Sequence, residues 1–111
     1  MRNIPIIAIH NTGMKAADAV LSDPKLLRLL DVLHRTRSVT QAAGLRGQSQ
    51  PTVSIWLGRL RKRLDDPLFV RTPTGMQPTP RADALIGPVR EALASLQRLA
   101  ASEEPFDPAR A

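Results

Sequence analysis

Residues 38–64 read SVTQAAGLRGQSQPTVSIWLGRLRKRL, and two helix starts are written into them. Ser38 is followed three residues later by Gln41, the capping-box spacing in which two side chains satisfy free N–H groups of a first turn. Ser49 repeats the signal with Pro51 close behind, where the fixed φ of proline suits a helix and its missing N–H costs nothing. Between them Gly44 or Gly47 can end the first helix, because glycine enters the left-handed conformation cheaply. That helix is short, with Val39, Ala42, Ala43 and Leu45 as its apolar side, and its alanines admit a close neighbour. In the second helix Val53, Leu57, Leu60 and Leu64 recur at intervals of 4, 3 and 4, a buried stripe. At 100° per residue the opposite side carries Pro51, Ser54, Ile55, Gly58 and Lys62, flanked by Arg59 and Arg61. Two capped helices joined by a tight turn, the second polar and basic on its outer side, make a helix-turn-helix.

Upstream, Asp23-Pro24 predicts a helix start, with Asp23 capping free amides. Leu26, Leu27, Leu29, Leu30, Val32 and Leu33 follow as a face broad enough to be buried on two sides, and the helix should end near Arg35. Downstream, Asp65-Asp66-Pro67 breaks the second helix. Leu68-Phe69-Val70-Arg71 is a short β-prone run, Pro73-Thr74-Gly75 supplies turn residues, and Met76-Gln77-Pro78 returns as a second strand. A hairpin this small is marginal alone, so Leu68 or Phe69 must pack onto the helices. Thr79-Pro80 opens a long helix in which Ala82, Ile86, Val89, Leu93, Leu96 and Ala100 are spaced 4, 3, 4, 3 and 4, a coiled-coil seam that calls for a partner. Pro88 inside it predicts a kink or a break. The tail from Ser102 is expected to fray. Before Asp23, residues 4–9 suit a short edge strand, 10–13 a turn and 14–21 a short helix, or else the whole segment is a flexible leader. The fold class is therefore mainly α: a winged helix-turn-helix, with a three-helix core and a small β-hairpin wing, followed by a long dimerisation helix. Its divisions are an N-terminal extension (1–22), the winged helix-turn-helix (23–79), a linker and dimerisation helix (80–100) and a C-terminal tail (101–111).

Composition narrows the chemistry. With 111 residues, 42% of them hydrophobic, the chain is long enough for one small core. Only Trp56, Phe69 and Phe106 are aromatic, so that core must be aliphatic. There is no cysteine, which excludes disulfides, thiolate zinc sites and thiol catalysis. His10 and His34 join no cluster, and neither a metal nor a cofactor is expected. No Ser-His-Asp arrangement, carboxylate pair or phosphate-binding glycine loop points to catalysis, so the chain is read as a non-enzyme. No apolar run reaches the roughly 20 residues that cross a bilayer, and Ile4 to Ile9 is too short for a secretory signal, which reads as cytoplasmic. The net charge is +6, and Arg35, Arg37, Arg46, Arg59, Arg61, Lys62 and Arg63 lie in a window with no acid between Asp31 and Asp65. A basic window flanked by acids suits a polyanion.

Taken in order, Ser38-Val39-Thr40-Gln41-Ala42-Ala43, Ser49-Gln50-Pro51-Thr52-Val53-Ser54 and Leu60-Arg61 resemble the helix-turn-helix of LysR-type transcriptional regulators. Asp66-Pro67-Leu68-Phe69-Val70-Arg71 and Gly75-Met76-Gln77-Pro78-Thr79 are similar to that family's wing, above all in the branch that regulates nodulation and aromatic degradation. The resemblance spans roughly residues 23–100. It implies sequence-specific binding of double-stranded DNA for transcriptional regulation, by a homodimer paired through the long helices, with the helix at about 49–64 in the major groove and the wing at about 67–79 at the minor groove. Family members also carry a C-terminal effector-binding domain, in whose presence a higher assembly is expected. The sequence ends at Ala111 without one, so no small-molecule site is carried over. Ile55 and Trp56 depart from the family pattern, which favours smaller or polar residues there.

On this reading the base or groove contacts fall to Gln50, Pro51, Thr52, Ser54, Ile55 and Arg71. Gln50 can bond the major-groove edge of adenine, Ile55 can touch a thymine methyl, and Arg71 suits a narrow minor groove. Phosphate contacts fall to Arg46, Ser49, Arg59, Arg61, Lys62 and Arg63, with Ser49 also a cap. Trp56 is read as half-buried packing. The dimer interface falls to Ala82, Ile86, Val89, Leu93, Leu96 and Ala100, and the place of work to the cytoplasm at the bacterial nucleoid. The competing reading is a truncated regulator that acts as a protein–protein module, hetero-dimerising with a full-length relative through the same seam.

Overall fold

In the computed structural model, residues 23–103 are described; the strand, turn and helix expected before Asp23 lie outside them. The helices are α1 (Pro24–Thr36), α2 (Val39–Arg46), α3 (Gln50–Leu64) and α4 (Pro80–Glu103), with strands β1 (Phe69–Thr72) and β2 (Gly75–Pro78) between α3 and α4. This is the winged helix-turn-helix expected from the spacing, with a long helix after it.

The caps show how locally the chain decides its elements. Ser38 Oγ accepts the N–H of Gln41 at 3.1 Å, and Ser49 Oγ accepts that of Thr52 at 3.2 Å. The reciprocal half of the first capping box does not form, because the Ser38 N–H donates instead to Thr36 Oγ1 at 3.3 Å. Asp23 sits before α1 without a side-chain cap. Lys25 Nζ, 2.8 Å away, takes its carboxylate, and that hydrogen bond holds the Asp23 carboxyl below its usual range. The first amides of α1 donate to the Asp23 carbonyl instead. Gly47 closes α2 at φ 64. Arg37 and Asp65 close α1 and α3 at φ 57 and 52, conformations less favourable for residues with a Cβ.

Leu26, Leu27, Leu29, Leu30 and Leu33 are all buried. The broad apolar face is used on two sides, since α1 packs against α2 and α3 and also against α4. Ala42, Ala43, Val53, Leu57 and Leu60 close the core from the helix-turn-helix side, and Leu68, Phe69 and Met76 close it from the wing. Leu45 corrects the expectation for α2: it is 66% exposed, while Arg46 beside it turns partly inward. Leu64 is half-buried at the edge of the core.

β1 and β2 pair antiparallel, Phe69 with Pro78 and Arg71 with Met76. These four residues share the face turned to the helices, and Val70 points outward, 49% exposed. The Met76 N–H donates to the Arg37 carbonyl at 2.9 Å, hanging the wing on the end of α1. Gly75 adopts φ 130 at this join, and a Cβ there would stand 2.9 Å from the same carbonyl oxygen. α4 runs unbroken through Pro88, so the expected break does not occur. Ala84, whose carbonyl loses its partner, and Pro88 are both exposed, and water can take up the lost bond on that side.

The crowding at Gly75 generates a prediction. Gly75→Ala combines an unfavourable φ with a clash against fixed backbone, and it should lower stability by about 1–3 kcal/mol. Urea unfolding followed by circular dichroism checks this; an unchanged midpoint would show that the wing shifts freely away from α1.

Candidate nucleic-acid interface

The outer side of α3 is open. Pro51, Ser54, Ile55, Gly58 and Lys62 are exposed, Ile55 to 58%, while Val53, Leu57 and Leu60 behind them are buried at 3% exposure or less. An apolar side chain left this open at the centre of a polar face is available to a partner. Gln50 stands exposed at the start of the helix, and Arg59, Lys62 and Arg63 are exposed toward its end.

Beside this face lies a groove of about 500 Å³ lined by residues of α2, α3 and the wing, together with Thr36 and Arg37 at the end of α1. Gln50 and Ser54 line it from α3, Thr40 and Gln41 from the start of α2, and Arg71 and Thr74 from the wing. Arg71 reaches it because it lies on the inner face of the hairpin, past the point where Met76 and Phe69 enter the core. Residues separated in sequence by most of a helix thus border one concave surface.

Two clamps hold the wing in place. Arg61 donates from Nε to the Pro67 carbonyl and from Nη2 to the Phe69 carbonyl, both at 2.7 Å. Asp66 Oδ2 accepts the Leu68 N–H at 2.8 Å and the Thr79 hydroxyl at 2.7 Å. Thr79 Oγ1 in turn accepts the Ala82 N–H at 3.2 Å as the cap of α4. The hydrogen bonds from Thr79 and Leu68 hold the Asp66 carboxyl below its ordinary range.

Residues 24–83 match the model of the bacterial regulatory helix-turn-helix proteins of the lysR family. The chain belongs to the LysR family. Among its relatives, the transcriptional regulator LinR of Sphingobium indicum is 47% identical over 88 residues, which are 79% of this chain and 29% of LinR. The transcriptional activator NahR of Pseudomonas putida is 45% identical over 86 residues, 78% of this chain and 29% of NahR. The chain thus spans under a third of the length of these LysR-family relatives, which are transcriptional regulators. Among solved structures, the probable transcriptional regulator PA0477 of Pseudomonas aeruginosa superposes with a TM-score of 0.71 at 42% identity, covering 80% of this chain and 30% of that one. The BenM_DBD/catB site 1 DNA complex shares the fold, with a TM-score of 0.69 at 20% identity over 74% of this chain and 92% of that one.

Within this LysR-family frame the residues expected at the interface separate into groups. Gln50, Ser54 and Arg71 meet at the groove, and Pro51 and Ile55 lie on the open face of α3. The hydroxyls of Ser49 and Thr52 bond each other at 3.0 Å, and Thr52 is half-buried. The Arg61 guanidinium is engaged by the wing carbonyls, a structural role that the basic window did not reveal. Arg46 lies in another cleft, lined by α1 and α4. Thr40 and Gln41 were not expected at the interface; the cap at Ser38, which starts α2 just before them, was the available signal. Trp56 is half-buried, with Lys25 Nζ 5.6 Å from its ring centroid. On α4, Ala82 and Val89 are shut into this chain's own core and Leu93 packs against it, so the seam expected to face a second copy is spent on α1 over its first half. A repeat of 4 and 3 reports a buried stripe and does not say which chain buries it. Ile86 and Leu96 are half-buried, and Ala100 is exposed. Among the described residues no helix is long and apolar enough to cross a membrane.

Two outcomes test the clamps. Arg61→Ala should destabilise the chain by about 1–3 kcal/mol through two lost charge-assisted bonds, with faster amide exchange across β1 and β2, whereas Arg63→Ala should do neither. Because the Asp66 carboxyl is depressed in the folded chain, its contribution is whole above the ordinary aspartate range and is lost as pH falls through the lowered value. Acid unfolding should therefore be less steep in Asp66→Ala than in the wild type; identical acid limbs would show that the clasp contributes nothing.

Proposed function

We propose that this chain is the DNA-reading part of a transcriptional regulator. It binds double-stranded DNA sequence-specifically as a homodimer, with α3 in the major groove and the wing at the minor groove. The observation that carries this reading is the open row Pro51, Ser54, Ile55, Gly58 and Lys62, continuous with a groove that brings Gln50 and Arg71 together. The geometry of α3 suits groove insertion: it is 15 residues long, capped, supported from behind by the core, and free of acidic side chains. Gln50 and Ser54 read base edges, and Ile55 takes a thymine methyl. Arg71 reaches the narrower groove. Arg59, Lys62 and Arg63 neutralise phosphates, with Ser49 and Thr52 at the helix start. The unit that does this is residues 23–79, and residues 80–100 join two copies. Since α1 covers much of the first half of α4, pairing falls mainly to Leu96 and Ala100 of the distal half, with half-buried Ile86 contributing from the first half. Leu99, 60% exposed, extends that stripe. Such a regulator works in the cytoplasm, at the nucleoid.

Titration of promoter DNA and random DNA at rising salt tests the reading. Affinity for both should fall with salt through counterion release, and the promoter should keep an advantage. Gln50→Ala should lose about 1–3 kcal/mol on the promoter and little on random DNA; equal loss on both would move Gln50 to the backbone. Equal binding of the two DNAs by the wild type would defeat specific recognition. For the assembly, Leu96→Glu should convert a dimer into a monomer in sedimentation. A wild type that pairs only with a full-length relative would favour the hetero-dimerising module instead.

A further inference from the structure

The Arg46 side chain is the feature of this chain that its fold explains least. Its Nε is buried without a hydrogen-bond partner, while the neighbouring Leu45 is 66% exposed. Hydrophobicity would order these two the other way, and a buried guanidinium N–H left unpaired is costly. The cleft into which Arg46 turns lies between α1, the end of α2 and α4, and encloses about 500 Å³. Arg28 and Arg35 line it from α1 and Arg90 from α4, around the single acid Asp31. That acid is already saturated: its side chain is 14% exposed, with Arg35 at 2.9 Å and Arg90 at 2.7 Å. Arg28 and Arg46 make no ion pair among the described residues. Four arginines therefore line a cleft that holds one acid, and the two without an ion-pair partner, Arg28 and Arg46, border a space also lined by Val32 and Leu93.

We propose that this cleft binds a small oxyanion, a phosphate or carboxylate group carried on a partly apolar body, held by Arg46 and Arg28. Guanidinium groups present paired donors that match two oxygens of such a group, and Arg35 and Arg90, fixed by Asp31, add positive potential without competing for the ligand. Val32 and Leu93 receive the remainder of the molecule. Arg46 belongs to the helix-turn-helix and Arg90 to the long helix, so an occupant braces the reading head against α4. The site shares no lining residue with the groove beside α3 and does not depend on the DNA-binding reading.

Thermal unfolding of the full 111-residue chain, with pyrophosphate and citrate as separate probes, tests the proposal. A ligand that binds only the folded form raises the melting temperature, by about 4–8 °C at roughly five times its dissociation constant. The wild type and Arg63→Ala should show this rise. Arg46→Leu should lose it while melting at or above the wild-type temperature without anion, because the unpaired guanidinium is gone. Pyrophosphate alone acting identifies a phosphate site, and citrate alone a carboxylate site. Should Arg46→Leu fail to fold, Arg28→Gln at the exposed rim must reduce the rise. Equal rises in the wild type and the arginine variants, as general salting-out would give, or no rise at all, overturn the proposal; neither result bears on promoter binding.

Discussion

Burial of α1 on both sides is the constraint from which the rest follows. Five leucines of one helix are removed from water, each worth about 1.5–3 kcal/mol, and no single neighbour can cover them all. The helix-turn-helix pair takes one side and α4 the other. The hydrogen bond from His34 to Asp83 and the ion pair between Asp31 and Arg90 show how α4 is laid down. Moving toward the N-terminus of α1 means moving toward the C-terminus of α4, so the two helices run antiparallel. With α1 as the central element, α3 is pressed outward with its polar side free, and the end of α1 becomes the post on which the wing hangs.

That arrangement sets the open face of α3 and the wing in fixed relation to each other. A four-residue hairpin strand pair has little stability of its own, yet it is held at three points: by Leu68 and Phe69 in the core, by the Arg37 carbonyl, and by the Arg61 and Asp66 clamps. Arg61 links the last turns of α3 directly to the base of the wing. The two elements that border the groove are therefore positioned relative to each other before any partner arrives, and less ordering entropy is left for binding. LysR-family membership and the preorganised groove both support the proposed DNA-reading role.

The apolar stripe of α4 changes its surroundings along the helix. Its first half completes the domain, and its second half extends beyond the core with Leu96, Leu99 and Ala100 in continuation. Loss of the proline bond near the midpoint is tolerated because it falls on the solvent side. The arginine cleft sits at the contact of α1 with α4, where charge is concentrated and only partly balanced.

Much of this was legible from residues alone, because caps, turn residues and helical periodicity act over a few neighbours. Ser38, Ser49, Gly47 and Thr79 marked the element ends, and the stripe Val53, Leu57 and Leu60 fixed by elimination which side of α3 is outward. The failures came where a side chain chooses between partners distant in sequence. Leu45 and Arg46 exchange the environments that hydrophobicity assigns them, and Arg61 reads as a surface cation but bonds the wing. Asp23 gives its carboxylate to Lys25 instead of to the helix amides, and Ala82 and Val89 are buried in this chain's own core. Sequence determined that there are two capped helices, a hairpin and a long apolar-edged helix. Only the tertiary structure decided which apolar edge is covered from within and which cation is free, because burial and hydrogen bonding depend on what packs alongside, and local spacing carries no record of it.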